Sequence, residues 1–362
     1  MLALRIHINE LQEGCILAED VFSKTNRPII SKQTVLTAQL IDVLKAFLIK
    51  DVEVEKTLIS GTPFIPSEAV SGNEAPVQNM EDLTFLDLFL KGKQDFKKEF
   101  VSWQSGIPVD IFAIRSLLMP LIDKIEGNTA YLFRLHKYHN QEDYLYHHSL
   151  AVGILSAYIA KRLNYSKGDI AQIALAGCLA DCGMAKISNS ILMKKTTLTL
   201  GEYEEVKSHP INSYQMVKEN RLLKQEAKVA VLQHHERLDG SGYPFGDKGV
   251  KIHPFANIIA VADTYQAMTS ERLYKPSMSP FKALEIINED HFGKFDVAPL
   301  KVIKSGIMNF STGSKVRLSD GEEAEILFIG EKDPTRPIVK LSNSDKILPL
   351  EEYRQLYIEE VL

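Results

Sequence analysis

The residues whose types and spacing point most directly to chemistry are His234-His235-Glu236-Arg237-Leu238-Asp239-Gly240-Ser241-Gly242-Tyr243-Pro244. Neighbouring side chains on a helix diverge by about 100°, so adjacent histidines cannot both face one apolar core. Both reach polar ligands if the helix ends at the rim of a site. The Asp-Gly-Ser-Gly-Tyr-Pro run that follows is made of turn formers and would stop the helix at once. A histidine pair carried by a helix into a glycine loop suits metal binding, because neutral imidazole is the commonest metal ligand. The pair alone reads as readily as a surface helix end. The whole string does not.

The string resembles the HHExxDGxGYP signature of the HD-GYP family, a branch of the metal-dependent HD phosphohydrolases whose known substrate is cyclic di-GMP. Every fixed position of that signature is present. The resemblance covers roughly residues 136–305 and implies an all-helical, metal-binding HD-GYP core. Taken position by position, it implies His148, on the helix that follows Asp143, as the first ligand. Asp181 falls where the family has its His-Asp doublet, and His209 lies in the matching Lys207-Ser208-His209-Pro210 segment. His234, His235 and then Asp263, on the last metal-binding helix, complete the set. The implied cofactor is one or two divalent ions, iron or manganese. In that arrangement Asp181 bridges the ions and is the catalytic carboxylate. His209, His234 and His235 complete one ion, and His148, Asp263 and the doublet histidine the other. A bridging carboxylate offsets the repulsion between two cations that clamp a phosphate and activate a water.

Two positions depart from the family pattern. The run Ala180-Asp181-Cys182-Gly183-Met184 has alanine for the doublet histidine and methionine for a lysine that faces the phosphate in the family. The second ion is left with two ligands of its own besides the bridge, so its affinity should drop. Met184 carries neither charge nor a transferable proton, a loss on the order of a hundredfold in rate. The expectation is a degenerate HD-GYP protein that binds metal and cyclic di-GMP or a related nucleotide, with hydrolysis weakened or absent. The competing reading is an active phosphodiesterase producing pGpG or GMP.

The ligand pocket argues against simple decay. Arg272 and Lys275 sit where the family binds guanine and phosphate groups, one helical turn apart. In isolation they read as a solvated cationic face; their register with Asp263 favours binding. Tyr243 is placed to pack on, or hydrogen-bond to, the ligand. Tyr144 stands where some family members carry a glutamate for a third metal, so at most two ions are expected. Cys178 and Cys182, four apart, read as buried small hydrophobes rather than a redox pair. His136, His139 and His147 read as exposed helix or turn positions, with His147 a stand-in ligand only if its helix rotates.

The elements that must position these residues are mainly helical. Residues 1–58 alternate short apolar runs (Leu4–Ile8, Arg27–Ile30, Val52–Val54) with a helix from Ala38 to Lys50, a small α+β domain with a sheet and one helix. Residues 59–80 are rich in Ser, Gly, Pro and Glu and form a flexible linker. Residues 81–135 form a helical connector, whose helices offer a surface for packing on the core or for a homodimer. Within the 136–305 core, Tyr144–Leu163 reads as an amphipathic helix with His148 in line with Val152, Leu155 and Ile159. Residues 306–362 return to period two at Lys315–Leu318, Glu325–Phe328 and Ile338–Leu341, a small antiparallel β module.

Composition bounds the rest. The chain of 362 residues is 45% hydrophobic and 25% charged, in the range of a globular protein of two or three domains. A net charge of -5 gives no reason to expect bulk nucleic-acid binding, so phosphates must meet a local cation cluster or a metal. Three cysteines imply no disulfide framework and fit a reducing cytoplasm. No apolar run approaches a membrane span, and the N-terminus does not read as a signal peptide. A cytoplasmic, multidomain protein is the expectation.

Overall fold

The computed structural model describes residues 3–22, 28–47, 49–65, 84–125, 130–138, 143–270, 277–289, 293–307, 312–330 and 333–362. The chain forms two compact units, residues 1–95 with 137–140, and residues 96–136 with 141–362.

In the first unit, strands β1 (Leu4–His7), β2 (Val21–Phe22), β3 (Pro28–Ile30) and β4 (Asp51–Val54) accompany helix α1 (Ala38–Ala46). β1 pairs antiparallel with β4 and β2 with β3, so two short ladders replace the expected single sheet. Alternation along β4 buries Val52 and Val54, and α1 adds Ile41 and Leu44 to the same core. The Thr37 hydroxyl caps α1 by accepting from the Leu40 N–H, and the helix ends at Ala46, short of the expected Lys50. Ile59 and Phe64 are buried in this unit, so the start of the expected linker is packed; its residues 66–80 lie outside the described residues. Helix α2 (Phe85–Gln104) buries Leu86 and Leu90 at its beginning, and Phe96, Phe100 and Trp103 further on.

The second unit is mainly α. Its helices are α3 (Ile111–Ile125), α4 (Ala130–Arg134), α5 (Tyr144–Arg162), α6 (Lys167–Leu179), α7 (Asn189–Leu192), α8 (Leu200–Val206) and α9 (His209–Val217). They continue with α10 (Gln225–Gln233), α11 (Pro254–Thr269), α12 (Pro280–Glu289) and α13 (Val297–Ile307). Helix α5 is the central one, packed against α3, α6, α11 and α13. Every residue from His147 to Ala160 is buried, so the expected amphipathic helix is instead covered on all sides. Small residues make this enclosure feasible: a Cβ on Gly153 would lie 2.9 Å from the Ala174 carbonyl oxygen, and one on Gly177 2.8 Å from Ser156 Oγ. Backbones of α5 and α6 thus approach more closely than larger side chains would permit.

The chain closes with β5 (Lys315–Leu318), β6 (Glu323–Phe328), β7 (Ile338–Leu341), β8 (Ile347–Pro349) and β9 (Ile358–Val361). They form one antiparallel sheet in the order β8-β7-β6-β5-β9. The expected β module is present, with β8 and β9 as strands the periodicity did not reveal. Two polar ties hold this sheet on α12: the Arg336 guanidinium pairs with Glu285, and the Ser279 hydroxyl donates to the Ile358 carbonyl. Among the described residues, no helix is long and apolar enough to cross a membrane.

Candidate metal centre

Six chemistry-bearing side chains reach one place from five helices or helix ends. His148 lies in the second turn of α5 and Asp263 in the middle of α11. Asp181 follows the C-terminus of α6 and leads into the 3-10 turn Cys182–Lys186. His209 is the first residue of α9, and α10 ends at Gln233, delivering His234 and His235 just beyond its last turn. The helix stop expected after the histidine pair therefore occurs at the pair itself.

The donor atoms fall into two groups that share Asp181. Ligand atoms of Asp181, His209, His234 and His235 lie within 4.8 Å of one another, as do those of His148, Asp181 and Asp263. In the first group, His209 Nε2 is 3.1 Å from Asp181 Oδ1 and 3.2 Å from His234 Nε2. His234 Nε2 is 3.5 Å from the same carboxylate oxygen. In the second, His148 Nε2 is 2.9 Å from Asp263 Oδ1 and 3.4 Å from Asp181 Oδ2. His235 Nδ1, at 3.7 Å from Asp263 Oδ2, stands between the groups. All six side chains singled out as ligands in the sequence are thus brought together.

Ring orientation shows what these atoms can bind. His209 Nδ1–H donates to the Val206 carbonyl at 2.7 Å, and His234 Nδ1–H to the Val231 carbonyl at 2.8 Å. Both carbonyls lie in the last turn of a helix, α8 and α10, where backbone oxygens lack an intrahelical partner. With Nδ1 donating to a carbonyl, Nε2 is the nitrogen that each ring turns inward. Two bare nitrogens at 3.2 Å beside a carboxylate repel one another unless a cation lies among them. Imidazole and carboxylate together suit a first-row divalent ion, so the residues fit the cofactor implied by the sequence.

Burial lowers the pKa of His209 and His148, but Asp181 outweighs it at His209, and Tyr144, Asp181 and Asp263 outweigh it at His148, so both rings are raised and a bound ion would take the place of their protons. Burial alone would raise the Asp181 carboxyl, but His209, His148 and His234 hold its pKa well below the carboxylate range. Burial likewise opposes ionisation of Asp263, and His148 and His235 outweigh it in the same direction. His235 is pushed well below the ordinary histidine value by burial and then by the neighbouring His234 ring, which keeps it neutral and able to ligate.

The glycine loop is held by the signature's own residues. Buried Glu236 accepts from the backbone N–H of Phe245 at 2.7 Å and of Asp247 at 3.0 Å. Arg237 donates to the His234 and Glu236 carbonyls and lies 4.7 Å above the Phe295 ring. A Cβ on Gly242 would fall 2.4 Å from the His235 carbonyl oxygen, so the loop doubles back where only glycine fits. The result places the Tyr243 ring in a stack with His235, 4.6 Å between centroids. Lys207 Nζ sits 5.3 Å over the Tyr203 ring and 5.7 Å over that of Tyr243, a cation beside the centre that the sequence reading did not single out.

The neighbours of the centre differ from expectation at several points. His147 is fully buried rather than exposed, and both its ring nitrogens are engaged, Nε2 with the Leu135 carbonyl and Nδ1 with Gln266. It is not a stand-in ligand. Ala180 is buried, its carbonyl accepting from the Ser213 hydroxyl, which in turn accepts from Gly183 N–H. Ser213 thereby fastens the Asp181 turn to α9. The Tyr144 ring stacks on His148, with centroids 5.3 Å apart. Cys178 and Cys182 are buried free thiols, and burial raises the pKa of both, that of Cys182 to about 12. Arg272 and Lys275 lie outside the described residues.

A buried helical core thus holds a carboxylate shared by a group of three histidines and a group of one histidine and one further aspartate. Residues 134–298 match the family model HD_5, an HD domain. Over 225 residues the chain is 31% identical to a cyclic di-GMP phosphodiesterase of Pseudomonas aeruginosa, covering 61% of this chain and 54% of that protein. It is 32% identical over 195 residues to the cyclic di-GMP phosphodiesterase PdeB of Borreliella burgdorferi, covering 53% and 50%. A 3'3'-cGAMP-specific phosphodiesterase of Vibrio cholerae is 33% identical over 160 residues, 44% of this chain and 35% of that one. The chain spans about half the length, or less, of these curated relatives. Among solved structures, an HDG"Y"P protein of Bdellovibrio bacteriovorus shares the fold, with TM-score 0.50 at 14% identity over 83% of this chain and 98% of that one. Residues 134–298 thus match an HD domain, and that region is similar to those of HD-GYP-type cyclic dinucleotide phosphodiesterases.

Proposed function

We propose that this protein binds one or two divalent ions, iron or manganese, at the Asp181-centred site and takes cyclic di-GMP or a related cyclic dinucleotide as its ligand, with hydrolysis slowed at two positions. The observation that carries the reading is the convergence of inward-facing imidazole nitrogens on a carboxylate shared by both donor groups. The relatives named above are cyclic dinucleotide phosphodiesterases, which supports the ligand class. Bound divalent ions supply Lewis-acid polarisation of a phosphoryl oxygen and a water of lowered pKa.

The chain's own residues set the rest. Asp181 holds its charge against burial and faces both donor groups, the position of a bridging and catalytic carboxylate. Tyr243, kept protonated by burial and by Asp263 and Asp181, walls the His235 side and offers a ring and a hydroxyl to the nucleotide. Arg272 and Lys275 are assigned by the family pattern to its phosphate and guanine groups. Ala180 withholds a donor from the His148–Asp263 group, and Met184 withholds the cation that would neutralise developing charge, a deficit on the order of a hundredfold. A second reading, full phosphodiesterase activity, is favoured by one observation: the six ligands the family pattern assigns lie together in two groups that share Asp181.

The test is a chromatographic time course of cyclic di-GMP with anaerobic, Fe(II)- or Mn(II)-reconstituted protein, run beside an equilibrium binding measurement. Binding with slow release of pGpG or GMP, abolished in Asp181→Ala and accelerated about a hundredfold by Ala180→His with Met184→Lys, is the expected result. Turnover that the double back-substitution leaves unchanged would favour the active enzyme. Neither binding nor turnover would sink the reading for that ligand.

A further inference from the structure

One side chain supports the weaker donor group without belonging to it. Gln266 lies one turn beyond Asp263 on α11 and is buried. Its amide nitrogen is 3.1 Å from His147 Nδ1 and 2.7 Å from Ser270 Oγ, and its amide oxygen makes a short hydrogen bond with His148 Nδ1.

The hydrogen-bond roles in this chain follow from one fixed end. The Leu135 carbonyl, 2.9 Å from His147 Nε2, can only accept, so His147 carries its proton on Nε2. The neutral ring then accepts at Nδ1, and only the NH2 of Gln266 can donate to it. That choice turns the amide oxygen toward His148, whose Nδ1–H must donate to it. His148 Nε2, 2.9 Å from Asp263 Oδ1 and 3.4 Å from Asp181 Oδ2, is then the nitrogen that faces the two carboxylates and is left to present its lone pair once an ion replaces its proton. The two histidines that follow one another on α5 thus carry opposite tautomers, set by Gln266, whose contact with His148 Nδ1 is much shorter than the 3.4 Å of the Tyr144 hydroxyl to the same nitrogen.

We propose that Gln266 is a positioning residue for the metal centre: with His147 and the Leu135 carbonyl, it fixes the His148 tautomer and ring so that Nε2 presents a lone pair to an ion in the His148–Asp181–Asp263 group. The inference rests on the metal-binding reading of that group. A partner on the far nitrogen of a ligating histidine sets ring orientation and basicity, and losing it costs roughly 10–100-fold in metal affinity. Such support matters most in the group with three donors instead of four.

The experiment titrates the full, metal-free chain with Mn(II) and reads the free ion by its electron paramagnetic resonance signal. Wild type should show a tighter and a weaker class of site. Gln266→Leu should weaken only the weaker class, by about 10–100-fold, and Gln266→Glu, which keeps an oxygen acceptor for His148 Nδ1–H, should restore it. Histidine-selective 15N spectra of the Zn(II)-loaded wild type should show His148 protonated at Nδ1, a readout that does not depend on any variant folding. Unchanged affinity in Gln266→Leu, a parallel loss in both classes, or an Nε2-protonated His148 would overturn the assignment. No Mn(II) bound by folded wild type would instead overturn the metal reading itself, and this inference with it.

Discussion

The two halves of the centre are built in different ways. His209 and His234 are each oriented by a carbonyl three residues earlier, an unsatisfied oxygen in the last turn of a helix. His148 is oriented by Gln266, 118 residues away, at the end of a relay through His147. One half has four donors, two of them set by local helix-end geometry. The other has three donors, one of them shared, set by tertiary packing. A site assembled from local turns tolerates change elsewhere in the core. A site assembled through a buried relay depends on α5 and α11 keeping their separation.

The largest expected effect removes what the halves have in common. Asp181→Asn keeps the size of the side chain and removes the charge that both groups use, and His148, His209 and His234 all approach its oxygens. Both classes of Mn(II) site should vanish from the titration while the protein stays folded by circular dichroism. Survival of one class would show that the halves are independent and that Asp181 bridges nothing.

A second substitution probes the local half. Gly183 lies where the Asp181 turn meets α9, and a Cβ there would be 2.3 Å from the His209 carbonyl oxygen and 2.4 Å from the Ser213 nitrogen. Both are backbone atoms and cannot step aside. Gly183→Ala should cost about 3 kcal/mol in urea unfolding, at the upper end of overpacking penalties, and should weaken the four-donor class more than the three-donor class. Gly201→Ala, in α8 with nothing within 4 Å, is the matched control and should leave stability unchanged or raise it by up to about 1 kcal/mol. An equal loss in both metal classes would mean that the turn positions Asp181 for both alike.

The same contrast explains what the sequence disclosed. Local signals survived translation into structure: the strands Lys315–Leu318 and Ile338–Leu341 and the start of α5 at Tyr144 rest on neighbours in the chain, while α10 stops at the histidine pair rather than after it. The strands that escaped notice lack period two. β9 buries Ile358 and Val361 around the exposed Glu359 and Glu360, and β8 is three residues ending in Pro349. Gln266, Ser213 and the burial of His147 left no periodic trace, because each is a hydrogen bond or packing contact across the fold. Glu236 was visible as a letter of the signature, yet its task, gathering two N–H groups of the glycine loop, needed coordinates. α5 is buried on all sides although its sequence reads as amphipathic, because nothing in that sequence states how many helices will surround it.

The smallest effect expected is a gain in the weaker half. Ala180 is the C-cap of α6, in helical backbone geometry, with its carbonyl already held by Ser213. Ala180→His leaves that hydrogen bond in place and adds an imidazole immediately before Asp181. The site is buried, with 3% of Ala180 exposed, so the ring must displace something and should cost about 1–3 kcal/mol of stability in the metal-free protein. Against this, a fourth donor for the His148–Asp263 group should raise the affinity of the weaker Mn(II) class about tenfold, or about 1.4 kcal/mol, and leave the tighter class unmoved. The two effects separate by measurement: thermal unfolding without metal reads the first, and the Mn(II) titration the second. If stability falls with no gain in affinity, the space beside Asp181 has closed around the alanine. The three-donor half would then be a settled design of this chain, with the Gln266 relay as its support, rather than a four-donor half missing one residue.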